Sequence, residues 1–400
     1  SKFRKSLKPT NTVSAPICSD IGKKIKPLTY NMRIKNTILR NNMKVGIDQK
    51  SLANPSGIGA YAREICKHMD KNEVEIFKIP SSSQFRKNSA NLMFDRIKTR
   101  FLEPILFTIE AKNKKLDLVH TLSETSIFEI DKPLITTIHD LTKFFYPNSK
   151  IPFLDQVAMK RKISLSDYFI TPSSSTKKDL IRFFGLQREK IKVIPLGVDR
   201  EFFNPKNKEN CPNMEYSTKK PYILFLGDLI PRKNLLSLIK AFSILKNRKV
   251  QLVIGGGERC GGEYKSKLIA LADNLNIKER IEFLGYVTKK RLPYLYSNAE
   301  VFVYPSLYEG FGIPLLEAMA CGTPVITSSI SSLPEVIGNA GMMIDPHDIE
   351  GLSEAIHKVI KSDTLQRKMK RKGMKRAKRF SWEKTAKKTF QVYNKVIYNR

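Results

Sequence analysis

Cysteine is scarce and scattered in this chain: Cys18, Cys66, Cys211, Cys260 and Cys321 are all it has, with no C-x-x-C and no Cys/His cluster. That spacing excludes a disulfide framework or a zinc site as the organising device and fits a reducing compartment. Long apolar runs are missing too. No stretch approaches the length a transmembrane helix needs, and the N-terminus lacks the compact apolar block of a secretory signal. The expected location is therefore cytoplasmic. The chain also has no Walker loop and no G-x-S-x-G, so neither a P-loop NTPase nor a serine hydrolase is indicated.

Acids are in short supply: 38 Asp and Glu face 71 Lys and Arg, for a formal net charge of +33. Such an excess draws a protein toward phosphorylated substrates, anionic lipid or nucleic acid. A lysine-rich solubilising surface would give the same number, because net charge bears on association and not on fold. At 400 residues with 41% hydrophobic content, the chain is long enough for two globular domains with substantial cores.

Residues 1–42 are basic, with Asp20 the only acid, and show no sustained helix or strand period. They read as a poorly ordered extension, or as sequence upstream of the true start. A basic targeting peptide is a further reading, although lysine stands where arginine is usual. From Met43 apolar runs alternate with helical stretches: "KVGID", "VEIFKIP", "LDLVHTL", "PLITTIHD", "DYFITPS" and "IKVIPLG". After a polar passage the alternation restarts with "YILFLGD", "VQLVIGGG", "RIEFLGYV", "EVFVYPS" and "TPVITSS". Strand–helix alternation implies parallel sheets covered on both faces. Two series predict two Rossmann-like α/β domains, 43–200 and 221–380, joined by a linker at 201–220. The basic segment 381–400 reads as an amphipathic helix, with Ser381 as its cap and Trp382, Ala386, Phe390, Val392, Tyr393 and Val396 on one face. That face can pack on the protein, or a cationic helix can lie on anionic lipid.

The stretch "YPSLYEGFGIPLLEAMACGTPVI" (304–326) carries the densest signal. Pro314 suits the first turn of a helix, where its missing N–H costs nothing. Free N–H groups at that helix start, with Gly310 and Gly312 permitting close approach, make an anion site that fits a diphosphate. Glu309 and Glu317 then face the ligand as acceptors for sugar or ribose hydroxyls. Two surface glutamates at this spacing would mean little without the glycines and the proline. In "FLGDLIPRKNLLSLIKAF" (225–242), Arg232 and Lys233 follow the first strand of the second domain, where doubly wound folds bind ligands. A solvated Arg-Lys pair is the plain alternative, and position tells against it.

Weaker signals remain. Gly57 and Gly59 in "ANPSGIGAYAREI" are shorter than a G-x-G-x-x-G and serve equally as a phosphate loop or a turn. His139, followed by Asp140, closes the β-branched strand of "LITTIHDL", in a context where a lone histidine is often structural. Gly257, in the "GGG" at 255–257, lines a nucleotide or simply turns the chain. No D-x-D occurs, so a metal-bridged nucleotide site has no candidate and neither metal nor cofactor is expected.

Together "YEGFGIPLLEAMACGTPVI", "LGDLIPRKNL", "TIHDL", "VIPLGVD…F" and "FSWEKTA" resemble glycosyltransferase family 4, of the GT-B fold, in family order from about Met43 to the C-terminus. The resemblance implies two Rossmann-like domains facing across a cleft, with the C-terminal helix crossing back to the first domain. It implies metal-independent, retaining transfer of a hexose from a nucleotide-diphosphate sugar. Carried over, His139 and Glu309 contact the donor sugar and Glu317 the ribose. Lys233 and Arg232 hold the diphosphate as charge develops on it, with backbone amides at Gly310, Phe311, Gly312 and Ile313 assisting. Gly57 and Gly59 approach phosphate or acceptor, and Gly257, Tyr286 and Val287 border the nucleotide. One departure stands out: Asp228 follows Gly227 where many members carry arginine, and the "PRKN" form is familiar in mannosyl-type transferases.

The expected partners are a nucleotide-sugar donor, with GDP-mannose preferred over UDP-hexoses, and a glycan or lipid-linked acceptor, with peripheral contact to the inner face of an anionic membrane. The basic and apolar stretch 81–107 is the expected acceptor contact. Two rivals stand beside this reading. A nucleotide-sugar epimerase shares the GT-B architecture but needs carboxylates poised for elimination. A basic, non-catalytic protein binding nucleic acid or membrane would use the charge alone, and no nucleic-acid module is recognisable.

Overall fold

In the computed structural model the described residues are 43–54, 56–71, 73–79, 103–123, 128–145, 153–208, 220–245, 249–258 and 262–398. All of them belong to the compact unit Asn41–Arg400. The expected extension 1–42, residues 209–219 of the linker and residues 81–102 of the acceptor stretch lie outside the described residues.

Twelve strands form two all-parallel sheets among the described residues. The first contains β1 (Met43–Asp48), β2 (Val74–Ile79), β3 (Leu118–Thr121), β4 (Leu134–Thr137), β5 (Tyr168–Thr171) and β6 (Ile191–Val193), in the order β2-β1-β3-β4-β5-β6. The second contains β7 (Tyr222–Leu226), β8 (Gln251–Gly255), β9 (Ile281–Gly285), β10 (Val301–Tyr304), β11 (Val325–Ser328) and β12 (Met342–Ile344), in the order β12-β11-β10-β7-β8-β9. Every residue of β3, β4, β5, β7, β10 and β11 is buried. That is why these segments read as continuous apolar runs and not as alternation: helices cover both faces. β12 has no counterpart among the strands expected from sequence. Its three residues sit at a sheet edge with Met343 exposed, too short for a periodic signal.

The helices start and stop where local chemistry directs. The Ser173 side chain accepts from Thr176 N to cap Ser174–Phe184, and that helix ends at Gly185 with φ 63°, a left-handed conformation suited to glycine. Asp348 caps Ile349–Lys361 in the same way through Gly351 N.

The last helix, Trp382–Tyr398, follows the second sheet in sequence but packs on the first. A Cβ at Gly197, just beyond β6, would fall 2.3 Å from the Trp382 nitrogen, so only glycine lets the two backbones meet there. Thr385 Oγ1 donates to Pro195 O at 2.8 Å, and the Ser381 side chain accepts from Lys384 N at 3.4 Å. Trp382, Ala386, Val392, Tyr393 and Val396 are buried, as the amphipathic pattern requires. Inside the first sheet, His120 bonds Tyr393 Oη through Nδ1 and Thr137 Oγ1 through Nε2, both at 2.8 Å. Burial, helped by Lys162 and His139, lowers the His120 pKa to about 3, so the ring is neutral and pairs with hydroxyls.

Tyr393→Phe would strip His120 of one partner inside the core. The expected loss is about 1–3 kcal/mol of unfolding free energy, the usual cost of an unsatisfied buried polar group. Urea titration of the two proteins checks it, and equal midpoints would show that the last helix is not held through this bond.

Candidate active site

The strand order of the second sheet reverses between β7 and β10, neighbours in the sheet but far apart in the chain. Open α/β sheets take ligands in the crevice outside the carboxyl ends of their strands at such a point. The "PRKN" segment leaves β7 and the "YEGFGIP" segment leaves β10. Topology alone therefore brings the two densest motifs together.

Pro231–Lys233 forms a single 3-10 turn, closed by Asn234 at φ 58°. The Asn234 side chain donates to Pro305 O at 3.2 Å and Pro346 O at 2.7 Å, and Leu307 N donates to Arg232 O at 2.9 Å. The turn is thereby tied to the segment after β10. Lys233 Nζ reaches Glu309 Oε1 at 2.6 Å and also donates to Tyr304 Oη, while Arg232 Nη1 reaches the same Oε1 at 2.8 Å and Tyr308 O at 2.5 Å. Lys233 and Glu309 are buried, and Lys233 Nζ lies 4.6 Å from the Tyr304 ring centroid. Burial by itself would raise the Glu309 pKa. The attraction of Lys233 and Arg232 and their hydrogen bonds outweigh it and bring the carboxyl down to about 2. Asp228 stands half-buried near Lys233, and its charge favours the ammonium.

The loop after Glu309 is strapped from behind. Ser331 Oγ donates to Glu309 O at 2.6 Å, and Ser332 Oγ lies 2.8 Å from Glu309 O and 2.9 Å from Phe311 O. Gly312 takes φ 104°, and the helix Ile313–Ala320 begins there with no side-chain cap. Gly310 is required for a different reason: a Cβ on it would sit 2.0 Å from His139 O, the backbone of the first sheet's β4 loop. Thr176 Oγ1 lies between them, 3.3 Å from Gly310 O and 3.5 Å from His139 O. The structure thus sets the His139 loop against the Glu309 loop across the cleft. The His139 ring is held by Nε2–H donating to Leu122 O at 2.9 Å and by an edge contact with Tyr61, centroids 4.8 Å apart. Tyr308 Oη donates to Asp179 at 2.7 Å, a second bridge, and burial raises the Asp179 pKa.

The other expected residues spread outward from this centre. Phe311 is buried and Ile313 half-buried, at the start of the helix. Glu317, one turn further, accepts from Tyr296 Oη at 2.9 Å. Gly257 has no atom within 4 Å of its built Cβ, whereas Val287 packs on Gly255 at the end of β8. Tyr286 is 77% exposed just past β9. Gly57 opens the helix Gly57–His68 behind the Ser56 cap with open space around it, while Gly59 is explained by packing, its Cβ falling 1.7 Å from Asn54 O. Their helix meets the expected site through Tyr61 against the His139 ring.

Asn234, Tyr296, Tyr304, Tyr308, Asp179, Ser331 and Ser332 were not singled out by sequence. The fourth letter of "PRKN" was the one signal that pointed to any of them. The tyrosines look like core aromatics until a charged partner appears beside them.

Two parallel sheets, with two cations and a carboxylate gathered at the switch point of the second beside an uncapped helix start, define an α/β protein of doubly wound architecture. Residues 208–376 match the glycosyl transferases group 1 family, and residues 55–202 match glycosyltransferase family 4. The O-antigen chain mannosyltransferase B of Escherichia coli is 33% identical over 267 residues, 65% of this chain and 69% of that protein. The serotype-specific mannosyltransferase WbdA of Escherichia coli is 28% identical over 259 residues, 63% of this chain but only 31% of the longer relative. Among solved structures, sucrose-phosphate synthase from Thermosynechococcus elongatus superposes with a TM-score of 0.71 at 21% identity, covering 90% of this chain and all of that one, which shows the GT-B fold. The chain belongs to the group 1, family 4 glycosyltransferases.

Glu309→Gln would leave the buried Lys233 and the half-buried Arg232 facing a neutral amide. Because the folded Glu309 pKa lies below its unfolded value near 4.5, the stability it contributes is present above that value and lost as pH falls toward 2. The wild type is expected to exceed the variant by about 3 kcal/mol at pH 7, with the gap narrowing steadily as pH is lowered from 5 to 3. Urea unfolding at a series of pH values measures it, and a gap independent of pH would contradict the ion cluster.

Proposed function

We propose that this glycosyltransferase is a retaining, metal-independent hexosyltransferase. It moves mannose, from GDP-mannose as the first choice, to a glycan or lipid-linked acceptor in surface polysaccharide or glycolipid synthesis. One observation carries the reading: Arg232 and Lys233 converge on a single Glu309 oxygen at the switch point, and the buried Arg232 Nε has no partner among the described residues. Two cations against one carboxylate, beside an uncapped helix start, suit a diphosphate that gains charge as it leaves. The names of the two relatives above favour mannose.

In this reading Arg232, Lys233 and the amides from Gly310 to Ile313 hold the diphosphate. Glu309 and His139 meet sugar hydroxyls, Glu317 takes the ribose, and Gly257, Tyr286 and Val287 border the base. Gly57 and Gly59 lie on the acceptor side. Glu309 is locked between two cations, a poor setting for a nucleophile, so front-face substitution is the better path to retention. The bond from the anomeric carbon to the diphosphate breaks, the acceptor oxygen bonds to the same face, and the departing phosphate oxygen takes the acceptor's proton.

The domains take the limits 43–200 and 221–380, with the last helix completing the first. Contact with the inner, cytoplasmic face of a membrane is part of the proposal. Ile105, Leu106 and Ile109 are 41%, 42% and 49% exposed on one helix, Glu103–Asn113, which begins inside the expected acceptor stretch. No helix among the described residues is long and apolar enough to cross a membrane.

Thermal shift without added metal, across GDP-mannose, UDP-glucose, UDP-GlcNAc and UDP-galactose, tests the donor. GDP-mannose at a hundred times its Kd should add about 2.7 kcal/mol of stability to the wild type. Lys233→Ala should lose most of that gain and slow GDP release from GDP-mannose by about 100- to 1000-fold. A shift with a UDP-sugar alone would replace mannose. No shift with any of them, alongside steeply salt-dependent DNA or lipid binding, would favour the basic binding protein.

A further inference from the structure

Resting on the assignment of Glu317 to the donor ribose, we propose that Tyr296 is a positioning residue that fixes how Glu317 takes the donor, and that donor binding is coupled to release of the Glu317 proton. Tyr296 sits on the helix Leu292–Asn298 with its side chain buried, and its hydroxyl donates to Glu317 Oε2 at 2.9 Å. Thr323 Oγ1 donates to Tyr296 O at 2.6 Å, and the Tyr296 ring packs edge-on against Phe302 of β10 with centroids 5.2 Å apart. The hydroxyl therefore cannot follow a moving carboxylate, and Glu317 is held with Oε2 engaged. Among the described residues no protein group bonds Oε1, which is left for the donor.

The surroundings of Glu317 make this bond matter near neutral pH. Burial pushes its carboxyl up to about 7, opposed by the Tyr296 hydrogen bond and by the charge of Lys289. Lys289, in the turn Lys289–Arg291, is exposed and screened. At the C-terminal cap of Glu317's helix, the Cys321 thiol is neutral, its pKa raised by burial. The helix Asp363–Ala377, packed on the other side, contributes Gly373 against Met319. Tyr296 is thus the one neutral hydroxyl that favours the carboxylate directly. A ligand whose hydroxyls donate to Oε1 favours the ionised form further, so binding expels the proton. Affinity must then fall as pH drops through 7, and removing the Tyr296 hydroxyl must move that fall to higher pH.

Isothermal titration with GDP-mannose and UDP-glucose from pH 5.5 to 8.5, in buffers of different ionisation enthalpy, reads both effects. Nucleotide sugars suit the test because their diphosphate does not titrate in this range. The wild-type Kd is expected to rise about tenfold between pH 8 and pH 6, with roughly half a proton released per donor bound at pH 7. Tyr296→Phe should bind more weakly at pH 7 and recover toward the wild-type Kd at pH 8.5. Glu317→Gln should abolish the pH dependence, and it keeps the test decisive if the tyrosine variant fails to fold. Parallel pH profiles for wild type and Tyr296→Phe, or a loss equal at every pH, would overturn the inference and leave the donor assignment intact. Absence of binding by either nucleotide sugar at any pH would overturn the assignment of the site itself.

Discussion

A buried Lys233–Glu309 pair joined by the half-buried Arg232 is the constraint on which the rest of the site depends. Taking these charges out of water is costly for each alone, and the two neighbouring cations are tolerable only because Glu309 lies within 3 Å of both. Their positions must therefore be held to a fraction of an ångström, and much of the neighbouring structure does that. Asn234 bends left-handed and pins the cation turn to two carbonyls. Ser331 and Ser332 pin the Glu309 loop. Tyr304 gives Lys233 a hydroxyl and a ring face. Asp228 adds a further negative charge beside Lys233, so the cations are balanced from more than one side.

The same loop carries the junction between the two sheets. Gly310 lies against the His139 backbone so closely that no side chain fits, and Tyr308 reaches Asp179 from the adjoining position. Glu335 adds a third bridge: its carboxylate accepts from Ser174 N and Ser175 N at 2.8 and 2.7 Å, at the start of the helix Ser174–Phe184. A carboxylate there satisfies N–H groups that the helix leaves open and is favoured by the helix dipole. Apart from the rings of Phe145 and Tyr308, 4.6 Å apart, these contacts are polar and local. Polar junctions of this sort are the kind across which domains shift. Two of the three bridges fall at residues 308 and 310, on either side of Glu309.

The α/β class, the parallel sheets and the central motifs were legible because they depend on local pattern. Fully buried strands write themselves as apolar runs, and "PRKN" and "YEGFGIP" announce charges and glycines at strand ends. What stayed hidden depends on tertiary contact. Asn234 matters through carbonyls at positions 305 and 346, which no local pattern connects. Gly59 reads equally as part of a phosphate loop or of a turn, and only the nearness of Asn54 O shows that a side chain cannot stand there. Tyr296 and Tyr304 are indistinguishable from core tyrosines in a string of letters. His120 likewise gains its meaning from a hydroxyl 273 residues away.

Glu309 and Glu317 show most directly why residue type alone could not assign the site. They lie eight positions apart in one motif, yet their surroundings drive them in opposite directions. The first, gripped by two cations, falls to about 2 and is charged at any pH the cell offers. The second has only one neutral hydroxyl and the more remote charge of the exposed Lys289 to set against desolvation, and rises to about 7. Divergent environments for like groups are how a site divides labour among them. A permanently charged Glu309 can organise cations and receive hydroxyls but is badly placed to carry a proton or to attack carbon. A Glu317 balanced at neutrality reports on whatever donates to it. In this protein the difference comes from the segments adjoining two strands of the second sheet: a cation turn after β7 meets Glu309, and a tyrosine helix before β10 meets Glu317.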